Sequence, residues 1–330
     1  MSTPIVQLSC VLPLFNEQAN ISGFVDALSA ECERLGQTWE LIMIDDGSTD
    51  GTWAAVNTVL SRYPNATAIR FTRNFGKEAA IQAGLRFAHG GVLLTLDADF
   101  QHPPELLQPM WEKLHDEECS ARIVSAVKLR RQAEPFPRRL AARAFYWLFR
   151  RTSSIDLEAA TDYKMMTRDV RDAYLSLPEH HRFYRGLTRW LGYPERTVEF
   201  SIPERPDNER SRWSTWKLFN YAFRSLISFS NFPIRLLGWL GLATLIFSLV
   251  LGLQTLVNKI SGEAIEGFTT VILVMLIIGS ILMMGLSLIG AYIAEIFHEV
   301  RQRPTYVVLE IIPGRDQTPS AEKTLSRDGQ

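Results

Sequence analysis

The chain has 330 residues, with 35 Lys plus Arg against 36 Asp plus Glu. That length exceeds one ordinary domain, and the near-zero net charge carries no signature of a nucleic-acid binder. Three cysteines, Cys10, Cys32 and Cys119, show no metal-ligand spacing and suit a reducing compartment.

Up to about residue 130, two patterns alternate. Runs of strand character are "IVQLSCVLPLF", "WELIMIDDG", "TAIRFT", "GVLLTLDAD" and "RIVSAVK". Between them lie helix-like stretches, "NISGFVDALSAECERLG", "DGTWAAVNTVLSRY", "KEAAIQAGLRFAH" and "PPELLQPMWEKLHDE". Asn20 stands where the first helix needs a cap and Gly36 where it stops; two prolines open the last. Near-continuous Val/Ile/Leu strands alternating with helices predict an α/β domain with a mostly parallel sheet covered on both faces. Ligands on such sheets bind beyond the carboxyl ends of the strands. The polar clusters "FNE", "DDGSTDG" and "DADFQ" fall there. Neither GxGxxG after the first strand nor GxxxxGK[ST] is present, which removes support for dinucleotide and P-loop readings.

Next comes "PFPRRLAARAFYWLFRRT", where a helix would align Arg139, Arg143 and Arg150 opposite Ala141, Phe145 and Leu148. This composition fits a helix in the membrane interface near anionic headgroups, or a basic helix packed on the protein. A second aromatic segment, Ser214 to Pro233, leads into two uncharged runs of 23 and 28 residues, Leu236 to Asn258 and Gly267 to Ala294. At about 1.5 Å per residue either run spans a hydrocarbon core of about 30 Å, which predicts a transmembrane hairpin. Arg224 and Arg235 precede it and Arg301 and Arg303 follow it. The positive-inside rule then puts both chain ends in the cytoplasm. The N-terminal apolar run reads as a strand and not as a signal peptide, and the polar tail after Ile312 reads as disordered.

The stretch "TLDADFQHPPE" sets Asp97 and Asp99 one residue apart at a strand end, with Gln101 two residues on. Two carboxylates so close repel each other unless a cation lies beside them. Such a pair suits Mg²⁺ or Mn²⁺, which prefer oxygen ligands and bridge substrate phosphates; solvated loop acids are the alternative. "DDGSTDGT" fits an Asx-rich turn with Asp50 as helix cap, or a site where Asp45 or Asp46 accepts hydrogen bonds from a base or ribose.

"VLPLFNE", "IDDGSTDGT", "RNFGKEAAIQAGL" and "LDADFQHPPE", in this order and spacing, resemble the nucleotide-sugar domain of family 2 glycosyltransferases, which have the GT-A (Rossmann-like) fold. "TDYKMMTRDV", "LPEHHRFYRGLTRWLGY", "FSNFPIRLL" and "GAYIAEIFHEVRQRPTYVV" resemble, more narrowly, the polyprenyl-phosphate glycosyltransferases, the bacterial undecaprenyl-phosphate glucosyl type above all. The likeness runs from Ile5 to Val308. It implies that Pro13, Phe15 and Glu17 contact the nucleotide, that Asp45 and Asp46 lie against base and ribose, and that Asp97 faces the nucleotide-sugar. Asp99 and Gln101 match the metal positions, and Asp162 matches the acid of a G-D-[FY]-R motif, with Thr161 and Lys164 departing from it. Arg130, Arg131, Arg139 and Arg143 are the candidates for holding a lipid phosphate. In the loop Glu204 to Trp213, which lacks the family's glycine, Arg205 and Arg212 are the candidate phosphate cations.

The implied activity is inverting transfer of a hexose, with glucose from UDP-glucose the best guess, to polyprenyl phosphate at the cytoplasmic membrane face. Its partners are a nucleotide-sugar, polyprenyl phosphate and the lipid bilayer, with homo-oligomerisation left open. Residues 1–135 would form the nucleotide-sugar and metal region, 136–233 the acceptor region with amphipathic interface helices, 234–298 the hairpin and 299–330 a cytoplasmic tail. A polysaccharide synthase is the alternative within the superfamily, although Gly186 replaces the glutamine of its Q-x-x-R-W motif. A catalytically silent nucleotide-sugar sensor and a lipid carrier are alternatives of other classes; the uncharged spans weigh against the carrier.

Overall fold

The computed structural model describes residues 6–116, 118, 120–128, 161–179, 182–201, 232–261, 268–301 and 303–314. These residues divide between two compact units, one holding the sheet together with residues 303–314 and the other holding two long helices.

In the sheet unit, β1 (Leu8–Leu14), β2 (Trp39–Asp45), β3 (Ala66–Phe71), β4 (Val92–Thr95) and β5 (Ile123–Lys128) occupy the five runs expected from the sequence. Three further strands, β6 (Lys164–Thr167), β7 (Glu195–Phe200) and β8 (Val308–Ile312), complete the order β7-β5-β6-β4-β1-β2-β3-β8. β1 pairs in parallel with β2 and β4, β2 with β3, and β5 with β7. β6 runs antiparallel between β4 and β5, and β8 antiparallel along β3, so the sheet is mixed. The expectation of a mostly parallel sheet therefore holds for its centre and fails at β6 and β8. β8 also puts Val308–Ile312, which lie within the expected 299–330 tail and before its polar part, into the sheet edge, where Tyr306 stacks on Phe71 at 4.9 Å.

Helices α1 (Ile21–Leu35), α2 (Thr52–Arg62) and α4 (Leu107–Leu114) cover one face, burying Phe24, Leu28, Val56 and Met110 against Leu8, Cys10 and Leu12. Helix α3 (Lys77–Phe87) lies on the other face. It comes so close that a Cβ at Gly84 would stand 2.7 Å from Ile44 Cδ1. Both faces are thus covered, as continuous apolar strands require. Helix α1 ends at Gly36 with φ 69°, as the sequence suggests, but Asn20 does not cap it through its side chain. The Asn20 amide instead donates to Glu17 Oε2 at 2.8 Å. Asp50 does serve α2, its Oδ1 accepting the N–H and hydroxyl of Thr52.

Two more helices follow β6: α5 (Arg168–Ser176) and α6 (Tyr184–Trp190). Lys164 on β6 is wholly buried, and its ammonium meets Glu195 Oε1 at 3.3 Å. Glu195 also accepts from Ser125 Oγ and lies 3.2 Å from Arg189 Nε.

The second unit contains α7 (Phe232–Ile260) and α8 (Phe268–Val300). Among the described residues, Ile277–Ala294 of α8 is the segment long and apolar enough to cross a membrane, and α7 carries a shorter apolar run, Leu237–Leu251. Leu282, Met283, Leu286 and Ile293 are exposed, as a lipid-facing surface would be. The expected interface helices, in 136–160 and 214–231, lie outside the described residues.

Removing one member of a buried ion pair leaves the other charge without compensation and typically costs 3–5 kcal/mol. Glu195→Ala should therefore destabilise the sheet unit by about 3 kcal/mol or more. Asp26→Ala, which breaks the exposed pair with Arg62, should cost under about 1 kcal/mol. Denaturant unfolding of the full chain in detergent measures both.

Candidate active site

Polar side chains gather beyond the carboxyl ends of β1, β2 and β4, where a right-handed α/β sheet opens its crevice. The loops after β1 and β2 are laced together. Asn16, at φ 58°, donates its N–H to Ser48 Oγ at 3.0 Å and accepts from Thr49 N at 2.9 Å. Glu17 N donates to Thr52 Oγ1 at 2.9 Å. These bonds hold Phe15, which is 46 % exposed, at the rim beside half-buried Glu17, while Pro13 stays within β1 opposite Ile44.

The two aspartates that close β2 have different tasks. Asp45 is wholly buried; it accepts from Ser48 N at 3.0 Å and lies 3.4 Å from Arg70 Nε. Asp46 accepts the N–H groups of Phe75 and Gly76 at 2.7 and 2.9 Å. Burial raises its pKa, against those two backbone bonds. Both oxygens of Asp46 thus fasten the turn into α3. Gly76 fits that turn because its φ of 100° is one that side chains disfavour.

Lys77, the next residue, was not singled out by sequence reasoning, yet it joins the two acids that were. Its ammonium lies 2.7 Å from Asp97 Oδ2 and 2.7 Å from Asp162 Oδ2. Arg185, on α6, adds a two-toothed contact to Asp162, Nε to Oδ1 at 2.7 Å and Nη2 to Oδ2 at 2.6 Å. Burial opposes ionisation of Asp162, but the Arg185 bonds and the Lys77 and Arg185 charges outweigh it and hold the carboxyl below the usual range. Thr95 Oγ1 fixes the backbone here by donating to Asp162 O at 2.6 Å.

Asp99 and Gln101 lie beyond Asp97 on a tight turn. Gln101 N donates to Asp99 Oδ1 at 3.0 Å, and Phe100 between them adopts φ 57° with its ring edge on Phe24, centroids 5.2 Å apart. His102, also missed, anchors the turn: its Nδ1 accepts Asp97 N–H at 2.8 Å, which puts the ring proton on Nε2. Burial lowers its pKa, so the ring is neutral and its 3.6 Å approach to Asp97 Oδ2 is no ion pair. The ring stacks on Tyr163 at 4.9 Å. Among the described residues, no three His, Cys, Asp or Glu side chains converge as a metal cage. Mg²⁺ does not need one, because it retains waters and takes one or two carboxylates together with substrate phosphates. Asp99 with the exposed Gln101 carboxamide offers such an oxygen set.

The structure thus brings Asp97 and Asp162 together through Lys77, and places Asp99 and Gln101 on the adjoining turn. Arg130, Arg131, Arg139, Arg143, Arg205 and Arg212 lie outside the described residues. Lys164 does not join Asp162; it pairs with Glu195. The sequence signal for Lys77 was its place in "RNFGKEAAIQAGL", and for His102 its place in "DADFQHPPE"; Arg185 had only "FYRGLTRW".

The model of "Glycosyl transferase family 2" matches residues 9–171. The prophage bactoprenol glucosyl transferase homolog of Escherichia coli K12 is 31 % identical over 308 residues, covering 93 % of this chain and 99 % of that protein. The bactoprenol glucosyl transferase of Shigella phage SfV is 31 % identical over 305 residues, 92 % and 98 % of the two chains. Among solved structures, glucosyl-3-phosphoglycerate synthase from Mycobacterium tuberculosis with Mn²⁺, UDP and phosphoglyceric acid overlaps with a TM-score of 0.49 at 19 % identity, over 67 % of this chain and 76 % of that one. The family match and these relatives together define the class of the protein, a glycosyltransferase. The chain belongs to glycosyltransferase family 2.

Glu78, beside Lys77, accepts Tyr184 N–H at 2.9 Å and so ties α3 to the start of α6. Burial, aided by the Asp162 charge, pushes its pKa up to about 7 from 4.5. The folded state therefore binds this proton more tightly than the unfolded chain. The stability it contributes is fully present below about pH 4.5 and is lost as pH rises through about 7. Glu78→Gln, which keeps an acceptor oxygen, should gain on the wild type by roughly 2–3 kcal/mol between pH 5 and pH 8. Thermal unfolding of both proteins across that range measures the gap.

Proposed function

We propose that the protein moves a hexose, glucose from UDP-glucose first among the candidates, onto polyprenyl phosphate at the cytoplasmic face of the membrane. The observation that carries this reading is the end-to-end likeness to the Escherichia coli prophage bactoprenol glucosyl transferase homolog, which takes in the sheet unit and the apolar helices alike.

The chemistry at the strand ends fits an anionic acceptor. A phosphate monoester has a second pKa near ~6 and is mostly a dianion at pH 7, already nucleophilic without a base. Asp162, clasped by Lys77 and Arg185 and held below the usual carboxylate range, is a poor proton acceptor. That suits a reaction in which no proton needs to be taken. Asp99 and Gln101 would hold the divalent cation, Mg²⁺ or Mn²⁺, which supplies charge neutralisation to the departing diphosphate. Asp97 and Asp162 position Lys77 and Arg185, and Phe15 and Glu17 border the nucleotide side. Attack by the lipid phosphate from the face opposite the diphosphate inverts the anomeric carbon.

The topology supports two membrane spans. β7 precedes α7 and α8 in the chain, β8 follows them, and both belong to one sheet. A sheet lies on one side of a bilayer, so the chain between those strands crosses an even number of times. If Ile277–Ala294 of α8 crosses, α7 is the natural return, with both chain ends on the side of the sheet. Arg235, Arg301 and Arg303 at the ends of the helices agree with a cytoplasmic sheet.

The test is to incubate the purified full chain, Mg²⁺ or Mn²⁺ and undecaprenyl phosphate with a panel of nucleotide-sugars, and to weigh the lipid products. A lipid of hexosyl-phosphate mass with UDP-glucose is expected, nearly abolished by Asp99→Asn and little changed by Glu105→Gln, an acid at the start of a helix where the dipole favours it. No lipid product from any donor would reject the acceptor assignment. Equal losses from both substitutions would reject the role of Asp99.

A further inference from the structure

One cation in the site is explained neither by the metal pair nor by the arginines expected to hold the lipid phosphate. Lys77 opens α3, and its position is fixed from behind by Asp46, which binds the two preceding N–H groups. From there the ammonium reaches Asp97 Oδ2 and Asp162 Oδ2 at 2.7 Å each, with its side chain still 38 % exposed. An ammonium carries three N–H donors. Two are used, and no described residue takes the third. Burial pulls the Lys77 pKa down, but the Asp162 and Asp97 charges more than reverse this, so the group stays cationic at neutral pH.

Three features make the free direction of this ammonium suited to an anion. Lys77 stands at the N-terminus of an 11-residue helix, the positive end of the helix dipole. The Arg185 guanidinium lies on the same Asp162 carboxylate, so two cations flank one acid. The charges of Asp97, Asp162, Lys77 and Arg185 sum to zero, so an arriving anion meets a balanced group; without Lys77 it would meet net negative charge.

We propose that Lys77 donates its third hydrogen bond to a phosphate oxygen of the donor's diphosphate, so that this ammonium, and not the Asp97 carboxylate, is what the leaving group meets at this end of the site. The inference rests on the nucleotide-sugar donor of the reading above and adds the residue that binds its phosphates. Asp97 and Asp162 are the holders of the ammonium: they aim it and keep it charged.

The experiment compares the wild-type full chain with Lys77→Met, Lys77→Gln and Lys77→Arg in detergent with Mn²⁺ present. UDP and GDP are titrated by calorimetry, uridine and guanosine by ligand-observed NMR, and thermal unfolding identifies which variants are folded. Two neutral variants are included so that loss of fold in one leaves the other to decide. The neutral variants should weaken diphosphate binding about tenfold or more, the scale of one charge-assisted hydrogen bond, and leave nucleoside binding unchanged. Lys77→Arg should recover part of the loss. An unchanged ratio of diphosphate to nucleoside affinity in a folded neutral variant would overturn the proposal, since a purely structural ion pair affects both ligands alike. If diphosphate binding depends on Lys77 and yet the wild type forms no lipid-linked sugar, the acceptor assignment fails and the Lys77 contact stands.

Discussion

Asp97 and Asp162 lie just past the ends of two antiparallel strands and reach the same ammonium, and the strand-end site depends on how the repulsion between them is met. The β4–β6 register pairs Thr95 with Lys164. Asp97 follows the first of these residues by two and Asp162 precedes the second by two. Like charges this close repel each other unless a cation lies beside them. The chain answers with Lys77 from the start of α3, shared between both carboxylates, and Arg185 from α6, clasped to one of them. Four elements are thereby tied to one charge-balanced group. Each additional tie, Asp46 to the turn before α3, Glu78 to the start of α6, Thr95 to the Asp162 carbonyl, fixes where one of those charges stands.

That balance bears on the chemistry. A diphosphate leaving group and a phosphate nucleophile bring several negative charges to one place, so a transferase for such substrates gains more from placed cations than from a base. Asp162 has been given away to two cations and cannot act as a strong proton acceptor. Asp99, on the turn around Phe100, accepts the Gln101 N–H and has the oxygen chemistry of a cation ligand. One aspartate of the D-x-D sequence meets an internal cation, and the proposed reading gives the other to the divalent metal.

Much of the sheet could be read from the sequence because β1 to β5 are near-continuous apolar runs separated by helices with clear ends, such as Gly36. The antiparallel β6 carries Lys164 in its interior, buried only because Glu195 compensates it, so its pattern does not look like a core strand. β8 follows a long apolar helix and pairs with a strand more than 200 residues earlier in the chain, which no local pattern reports. The same limit applies to the site. Asp97, Asp99 and Gln101 are close in sequence and were found by spacing and resemblance. Lys77 joins Asp97 and Asp162 only through the fold, and Asp46, expected beside a base or ribose, uses both oxygens to hold the α3 turn.

The central claim is a single displacement by an anionic acceptor that needs no covalent intermediate and no base. Its most direct test is the configuration of the product. With UDP-α-glucose as donor and polyprenyl phosphate as acceptor, the anomeric proton of the purified glycolipid should show the β configuration by NMR. An α-linked product would mean retention, and would contradict a site whose cations serve one in-line transfer.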